Sequence, residues 1–351
     1  MVSPLGPNDC ICFILPYLEA MPAARITRVG CITLILDLGA KIIIVLKATT
    51  MNDWNLEYDI DLSEAITSAI EPFGDIQIDI LRLDAIHPVI SGNKWFKLKY
   101  HIEEARKKSF SSLITFGGAY SNHIVATAFT ARESGLKSTG IIRGERPAEL
   151  SPTLKDAEYY GMQLMYTPRY LYNDTEQLLS LMDMDISDTY IVNEGGKGTQ
   201  GVMGAEEILN LADKSNYSHI ACAVGTGTML SGIINAALPH QEIIGISSLK
   251  GDDTLTASIR KFTKASSAYF NILFDYHFGG YAKKTPELID FMNEFYLKTN
   301  IPTDFVYTGK LIYGIFDLLK KGYFPGKSRI LIIHSGGLQG NRSLTPGTLT
   351  F

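Results

Sequence analysis

Lys94 stands in the segment Ser91-Gly92-Asn93-Lys94-Trp95-Phe96-Lys97-Leu98, where the periodicity predicts a helix from Lys94 to Lys108 with Trp95, Leu98 and Ile102 on one stripe. A cation in a first helical turn meets the positive end of the helix dipole, so a lysine there has a physical reason to lose its proton. A neutral, buried amine is the nucleophile that Schiff-base chemistry needs; the alternative is a solvated lysine at a helix start. A second feature is Gly225-Thr226-Gly227-Thr228, between an apolar run His219–Val224 and a helical pattern Met229–Leu238. Glycines allow close backbone approach, the following helix offers amide N–H groups and its dipole, and two threonines add hydroxyls. That combination predicts a phosphate cradle, with a plain strand-to-helix turn as the alternative. It is not a Walker A loop, since no Gly-Lys-Ser/Thr follows, nor G-x-G-x-x-G, since Met229-Leu230 lead to Ser231.

The elements that must position these groups alternate along the chain. Ile76–Leu81 alternates with period two, as a half-buried strand does. Ser112–Phe116 is a short apolar run ending at Gly117-Gly118, followed by a helix Ile124–Ser134 closed near Gly135 and a strand Ser138–Ile142. After the threonine-glycine loop come a strand Glu242–Ser247, a helix Pro286–Thr299 with an acidic first turn, and a buried strand Arg329–Ile333 ending at His334-Ser335-Gly336-Gly337. Strand, glycine loop, helix, strand is the pattern of parallel sheets wrapped by helices, and in such sheets ligands bind beyond the carboxyl ends of the strands.

Composition bounds the answer. The 351 residues suggest about two domains. An apolar fraction of 46% against 20% charged excludes a disordered chain, and 32 basic against 37 acidic residues, net −5, argues against a large nucleic-acid-binding surface. Cys10, Cys12, Cys31 and Cys222 have no paired spacing, so neither a disulfide scaffold nor a metal site is expected, and a reducing, cytoplasmic compartment is. Residues 1–50 are poor in charge, and their apolar stretch Cys31–Leu46 is broken by Asp37 and Lys41, short of a membrane span. They lack the order of a signal peptide. They read as an atypical extension outside the fold, with Met51 as a candidate start; a targeting segment is the alternative.

Five segments occur in order: Ser-Gly-Asn-Lys-x-x-Lys-Leu from Ser91, Gly-Gly-x-x-Ser-Asn-His over Gly117–His123, Gly225–Thr228, Val306-Tyr307-Thr308-Gly309-Lys310, and His334–Gly337. Together they resemble the 1-aminocyclopropane-1-carboxylate (ACC) deaminase and D-cysteine desulfhydrase family over about residues 70–342. The resemblance implies pyridoxal 5′-phosphate as cofactor and the α/β fold type II of tryptophan synthase β: two α/β domains with mainly parallel sheets. The larger would comprise residues 51–96 and 201–351, the smaller residues 97–200. It also implies a homodimer, a small amino-acid substrate and no membrane partner. Carried over by position, Lys94 is the cofactor-bearing lysine with Asn93 beside it, and Lys97 and Gly225, Thr226, Gly227 and Thr228 hold the phosphate. Ser121 is the active-site serine, Asn122 bonds the ring hydroxyl, and Tyr307 is an active-site tyrosine, with Tyr281, twenty-six residues before it, as the second. Read without the resemblance, Ser121 is a helix cap, the tyrosines are packed rings, His123 is structural, and Asn193–Gly196 is a turn, with a role in shaping the pocket as the alternative.

One position departs from the pattern. ACC deaminases imply a glutamate after the Tyr307 equivalent, which would keep the pyridine nitrogen protonated and the ring a deep electron sink. Here Thr308 follows, so a hydroxyl, from Thr308 or Ser335, faces that nitrogen. A weaker sink suits expulsion of a good β-leaving group such as sulfide better than opening a cyclopropane. The expected activity is therefore D-cysteine desulfhydrase-like β-elimination to a 2-oxo acid, ammonia and sulfide, with Lys94 or a tyrosine as the Cα base. The alternatives are ACC deaminase and, from another class, a non-catalytic cofactor- or nucleotide-binding protein.

Overall fold

A computed structural model describes residues 11–13, 32–37, 41–46, 58, 60–65, 67–172, 175–181, 186–251, 253–264 and 268–351. The chain divides into two units, 1–60 and 61–351. In the first, strands β1 (Ile11–Phe13), β2 (Ile32–Asp37) and β3 (Lys41–Leu46) form an antiparallel sheet with β3 in the middle. The apolar stretch of the extension is thus two paired strands. No helix among the described residues is long and apolar enough to cross a membrane. Cys10, Cys31 and Met51 lie outside the described residues.

The second unit begins with an antiparallel pair, β4 (Thr67–Phe73) and β5 (Ile76–Arg82), whose register shifts between Ile70 and Phe73 beside Pro72. Helix α1 (Asn93–Lys107) follows, its stripe Trp95, Leu98, Ile102 and Ala105 at most 1% exposed, with Arg106 and Lys107 at the end that favours cations. Three strand–helix alternations and a fourth strand come next: β6 (Ser112–Gly117), α2 (Asn122–Glu133), β7 (Lys137–Arg143), α3 (Pro152–Tyr159), β8 (Met162–Thr167), α4 (Thr175–Leu181) and β9 (Thr189–Val192). Ser151 caps α3 by accepting from the Leu154 amide at 3.1 Å, with Pro152 at the first helical position. Then come α5 (Thr199–Glu206), β10 (His219–Val224), α6 (Thr228–Ala236), β11 (Glu242–Ser247), α7 (Asp253–Arg260), β12 (Tyr269–Leu273), α8 (Pro286–Thr299), α9 (Thr308–Lys320) and β13 (Arg329–His334).

Two sheets result. One has the order β8-β7-β6-β9 and is parallel throughout. The other has the order β12-β11-β10-β13-β5-β4 and is parallel except for the β4–β5 pair. The expected α/β class with mainly parallel sheets is what the structure has. Strand β10 is buried at every residue, as a central strand covered on both faces must be. Ile78, Ile80, Ala221, Ile244, Ile330 and Ile332 from four strands meet Leu311, Ile312 and Ile315 of α9 and Phe295 of α8. Each such aliphatic side chain contributes roughly 1.5–3 kcal/mol by leaving water.

Candidate active site

Several parallel strands end at one cavity of about 1310 Å³. From β10 the chain enters Gly225–Thr228 and α6; from β6 it enters Gly118–Ser121 and α2; β13 ends at Ser335–Gly337 and β9 at Asn193–Gly195. Of the residues singled out from sequence, Lys94, Asn93, Lys97, Ser121, Asn122, Gly225, Thr226, Gly227, Tyr281, Tyr307 and Ser335 line it. This is the carboxyl-end position at which α/β sheets bind ligands.

Lys94 is the second residue of α1 and is half-buried. Its place depends on Gly92, which has φ +69° and ψ −148°, and where a Cβ would come within 1.9 Å of Ser335 O. That contact lets Asn93 N donate to Ser335 O at 3.1 Å, which fastens the start of α1 to the loop after β13. Lys94 Nζ donates to Asn93 Oδ1 at 2.6 Å, and Asn93 Nδ2 points at Met229 Sδ, 3.3 Å away. Burial pulls the Lys94 ammonium down to about 8, against the opposing pull of the Asp304 carboxylate. Lys97, one turn on and 5% exposed, is held well below its ordinary value by burial and then by Lys94. No carboxylate pairs with Lys97 among the described residues. Two buried amines side by side form a place where an anion is favoured.

The anion donors are adjacent. Gly227, at φ +80°, caps α6, so the first amides of that helix face the loop. Thr226 Oγ1 lies 3.1 Å from Thr228 Oγ1; Thr228 itself is buried beneath the loop and off the cavity wall, so its contribution there is its main chain. On the facing wall Asn122 Nδ2 donates to Gly337 O at 3.2 Å, while Asn122 Oδ1 is buried with no partner. An orphaned buried acceptor costs about 1–3 kcal/mol unless a ligand donor meets it. Ser121 holds the N-cap position of α2, but its side chain makes no capping bond, so the hydroxyl is left to the cavity. His123 is buried: Thr115 Oγ1 donates to Val192 O at 2.8 Å and faces His123 Nε2 at 2.8 Å, which makes that nitrogen the N–H and leaves Nδ1 unpartnered.

The Tyr307 ring lies against Gly225, where a Cβ would come within 3.1 Å of Cε1. Tyr281 meets it edge-on, centroids 6.1 Å apart. Burial raises both phenols, Tyr307 most, and the contact between the two hydroxyls favours ionising Tyr281 before Tyr307. At neutral pH both are O–H donors, and the carboxylates of Glu194 and Asp304 add to the upward shift of each.

Thr308 is a correction to the sequence reading. It is fully buried and absent from the cavity wall. Its hydroxyl donates to Asp304 Oδ1 at 2.8 Å and accepts from Asp304 N at 2.7 Å, so it is committed to its own loop. Ser335, the other hydroxyl singled out from sequence, is 7% exposed and does line the wall. Asp304 itself was not singled out from sequence. Its carboxylate, 0% exposed, accepts from the amides of Val306 at 2.9 Å, Tyr307 at 3.0 Å and Thr308 at 2.8 Å. The Asp304-x-x-x-Thr308 spacing before a helix is the signal that could have disclosed it. Arg143 was also missed, and Glu194 lies in the Asn193–Gly196 segment, read as a turn with shaping of the pocket as the alternative. Both line the cavity with Tyr281, and burial raises the Glu194 carboxyl against the pull of Arg143. The Arg143 guanidinium lies over the Tyr172 ring, 5.3 Å from its centroid.

Comparison with known proteins places these features in context. Residues 79–336 match the sequence pattern of the family described as pyridoxal-phosphate dependent enzyme. The chain is 28% identical over 268 residues, 72% of its length and 81% of the relative's, to a Pyrococcus horikoshii protein whose name carries ACC deaminase as a provisional assignment. It is 26% identical over 301 residues, 75% of the chain and 87% of the relative, to the ACC deaminase of Bradyrhizobium sp. strain ORS 278. Among solved structures, an ACC deaminase homologue superposes with a TM-score of 0.66 at 25% identity, covering 76% of this chain and 86% of that one. A hydrogen sulfide-producing enzyme from Fusobacterium nucleatum shares the fold at 16% identity, with a TM-score of 0.60 over 82% of this chain and 99% of that one.

Proposed function

Because the chain belongs to the pyridoxal-phosphate-dependent enzyme family, we propose that it is a lyase that removes the β-substituent of a small amino acid, with D-cysteine as the substrate type. The residues present fit the cofactor. Lys94 would hold it through the aldehyde, Lys97 and the Gly225–Thr228 loop would hold its phosphate, and the orphaned Asn122 Oδ1 would accept from its ring hydroxyl. Bound there, pyridoxal 5′-phosphate supplies an electron sink for a carbanion at the substrate Cα.

The protein's own groups do the rest. The N-terminal amides of α2, with Ser121 Oγ, suit the substrate carboxylate. Lys94 Nζ, with its pKa of about 8, takes the Cα proton. Tyr281 and Tyr307, protonated at neutral pH and raised further by burial, offer O–H groups on the cavity wall to a departing group. In the net reaction Cα–H and Cβ–S break, and with one water the products are a 2-oxo acid, ammonia and sulfide.

What supports β-elimination over ring opening is Ser335: with Thr308 turned inward, it is the hydroxyl on the cavity wall that would face the ring nitrogen, where a carboxylate would make a deeper sink. The names of the relatives favour the second reading, ACC deamination. One assay decides between them: sulfide release from D-cysteine against 2-oxobutanoate formation from ACC, with Lys94→Ala as control. Turnover of ACC alone would overturn the first reading, and full turnover by Lys94→Ala would overturn both.

A further inference from the structure

The lysine that closes the segment Val306–Lys310 has no part in the chemistry above, yet it is among the largest fully buried side chains, 1% exposed. No carboxylate pairs with it among the described residues. Its Nζ donates instead to two main-chain oxygens, His277 O and Gly280 O, each at 2.8 Å. Those carbonyls belong to the loop between β12 and α8 that carries Tyr281. Each already accepts a loop amide: Gly280 N donates to His277 O at 3.0 Å and Lys283 N to Gly280 O at 3.1 Å. The loop needs holding. Phe278, Gly279, Gly280 and Ala282, at φ +49°, +92°, +116° and +53°, put four positive-φ residues around Tyr281. A path of that kind persists only where its surroundings over-determine it.

Asp304 does for Tyr307 what Lys310 does for Tyr281. It fixes the amides of residues 306–308, and through them the turn from which the Tyr307 ring projects. Burial lowers the Lys310 ammonium to about 8, and the Asp304 carboxylate opposes that shift without contacting it. Each of the two side chains thus holds one tyrosine's backbone.

We propose that Asp304 and Lys310 are a pair of positioning residues for the two-tyrosine wall, Asp304 acting on Tyr307 through the amides of 306–308 and Lys310 acting on Tyr281 through the carbonyls of 277 and 280. This rests on Tyr281 and Tyr307 handling protons in the proposed reaction.

The test combines two readouts on Lys310→Met. Hydrogen exchange of the protein with and without cofactor should show amides 279–283 exchanging about tenfold faster or more, with β10 and β13 unchanged, because only the local opening is affected. In D-cysteine turnover kcat should fall about tenfold or more with a smaller change in KM, and the same substitution in a Tyr281→Phe background should cost less than about twofold. Unchanged exchange in the loop would overturn the proposal, as would an equal loss in both backgrounds, which marks a merely structural lysine. If Tyr281→Phe alone keeps full activity, the catalytic reading of that tyrosine fails, while the exchange readout still decides the clamp. Should Lys310→Met not fold, Lys310→Gln keeps two N–H donors on a shorter stem; intermediate exchange at 279–283 supports the clamp and wild-type exchange overturns it.

Discussion

Lys94 should titrate near pH 8 instead of near 10.5. At pH 7 an ordinary lysine is about 0.03% free amine; at a pKa of about 8 the free fraction is about 9%, a gain of about 300-fold in nucleophile. The cause is burial, and the carboxylate of Asp304 is the group that keeps the value from falling further. Asp304→Asn should therefore move Lys94 below 8. The sign for stability follows from the folded value lying under the unfolded one. Below pH 8 the folded chain bears the cost of a buried ammonium. Between about pH 8 and 10.5 the unfolded chain binds more protons, so this group's contribution to stability rises with pH, by roughly 3 kcal/mol at most. Competitive acetylation of the cofactor-free protein across pH, read by mass spectrometry of the Lys94 peptide, measures the titration directly. Lys298, which its ion pair with Glu294 raises, is the internal control. A Lys94 reactivity curve with its midpoint near that of Lys298, or an upward shift in Asp304→Asn, would refute the burial argument.

Four further substitutions have definite expected outcomes. Thr308→Val should lower stability by about 2–4 kcal/mol in urea unfolding, because it strips a donor from a buried carboxylate and an acceptor from a buried amide, whereas Thr308→Ser should not. Ser335→Ala should weaken cofactor capture, followed by visible absorbance, with little loss of stability; the reverse pattern would contradict the placement of the two hydroxyls. Gly92→Ala should cost more than about 3 kcal/mol, from a positive φ and a Cβ driven into Ser335 O, and should return Lys94 toward an ordinary titration. Burial opposes ionisation of Asp84, but His334 Nδ1 at 3.0 Å and Arg82 outweigh it and hold its carboxyl well below the usual range. Its stabilisation is complete above about pH 4 and is lost as pH falls through the folded value. Asp84→Asn should flatten the acid limb of an unfolding-midpoint-against-pH curve.

The strands and helices that were legible in sequence are those with strong local signals. Ile220–Val224 and Ile243–Ile246 are unbroken apolar runs, and Pro286–Thr299 carries a threonine cap, an N-terminal proline and an asparagine in the left-handed conformation at its end. Strand β4 escaped notice because Pro72 interrupts an edge strand at a bulge, and β12 because its residues are only partly buried. Helix α9 was hidden in a segment read for its tyrosine. In the site, Lys94 and the threonine-glycine loop were legible because glycine, helix start and side-chain type lie within a few residues of each other. Tyr281 was reached only through the family's spacing. Thr308 was misread because adjacency to Tyr307 along the chain says nothing about which way a hydroxyl turns; that is settled by Asp304, four residues back. Arg143 carries no local sign, and Glu194 only that of its glycine turn, since what makes them part of the cavity is the parallel packing of β7 and β9 on either side of β6.

The place of β13 has a consequence for how such a chain comes into being. It lies between β10 and β5, and those two have no pairing with each other. Until the last strand leaves the ribosome, the larger sheet is two fragments: a hairpin made early and a three-stranded piece made late. The loop that follows that strand also fastens the beginning of α1 through Ser335. A nascent or C-terminally clipped chain can thus own every side chain of the cavity from Lys94 to Tyr307 and still have no assembled reaction centre, so synthesis itself keeps a reactive amine unpoised until the polypeptide is nearly whole.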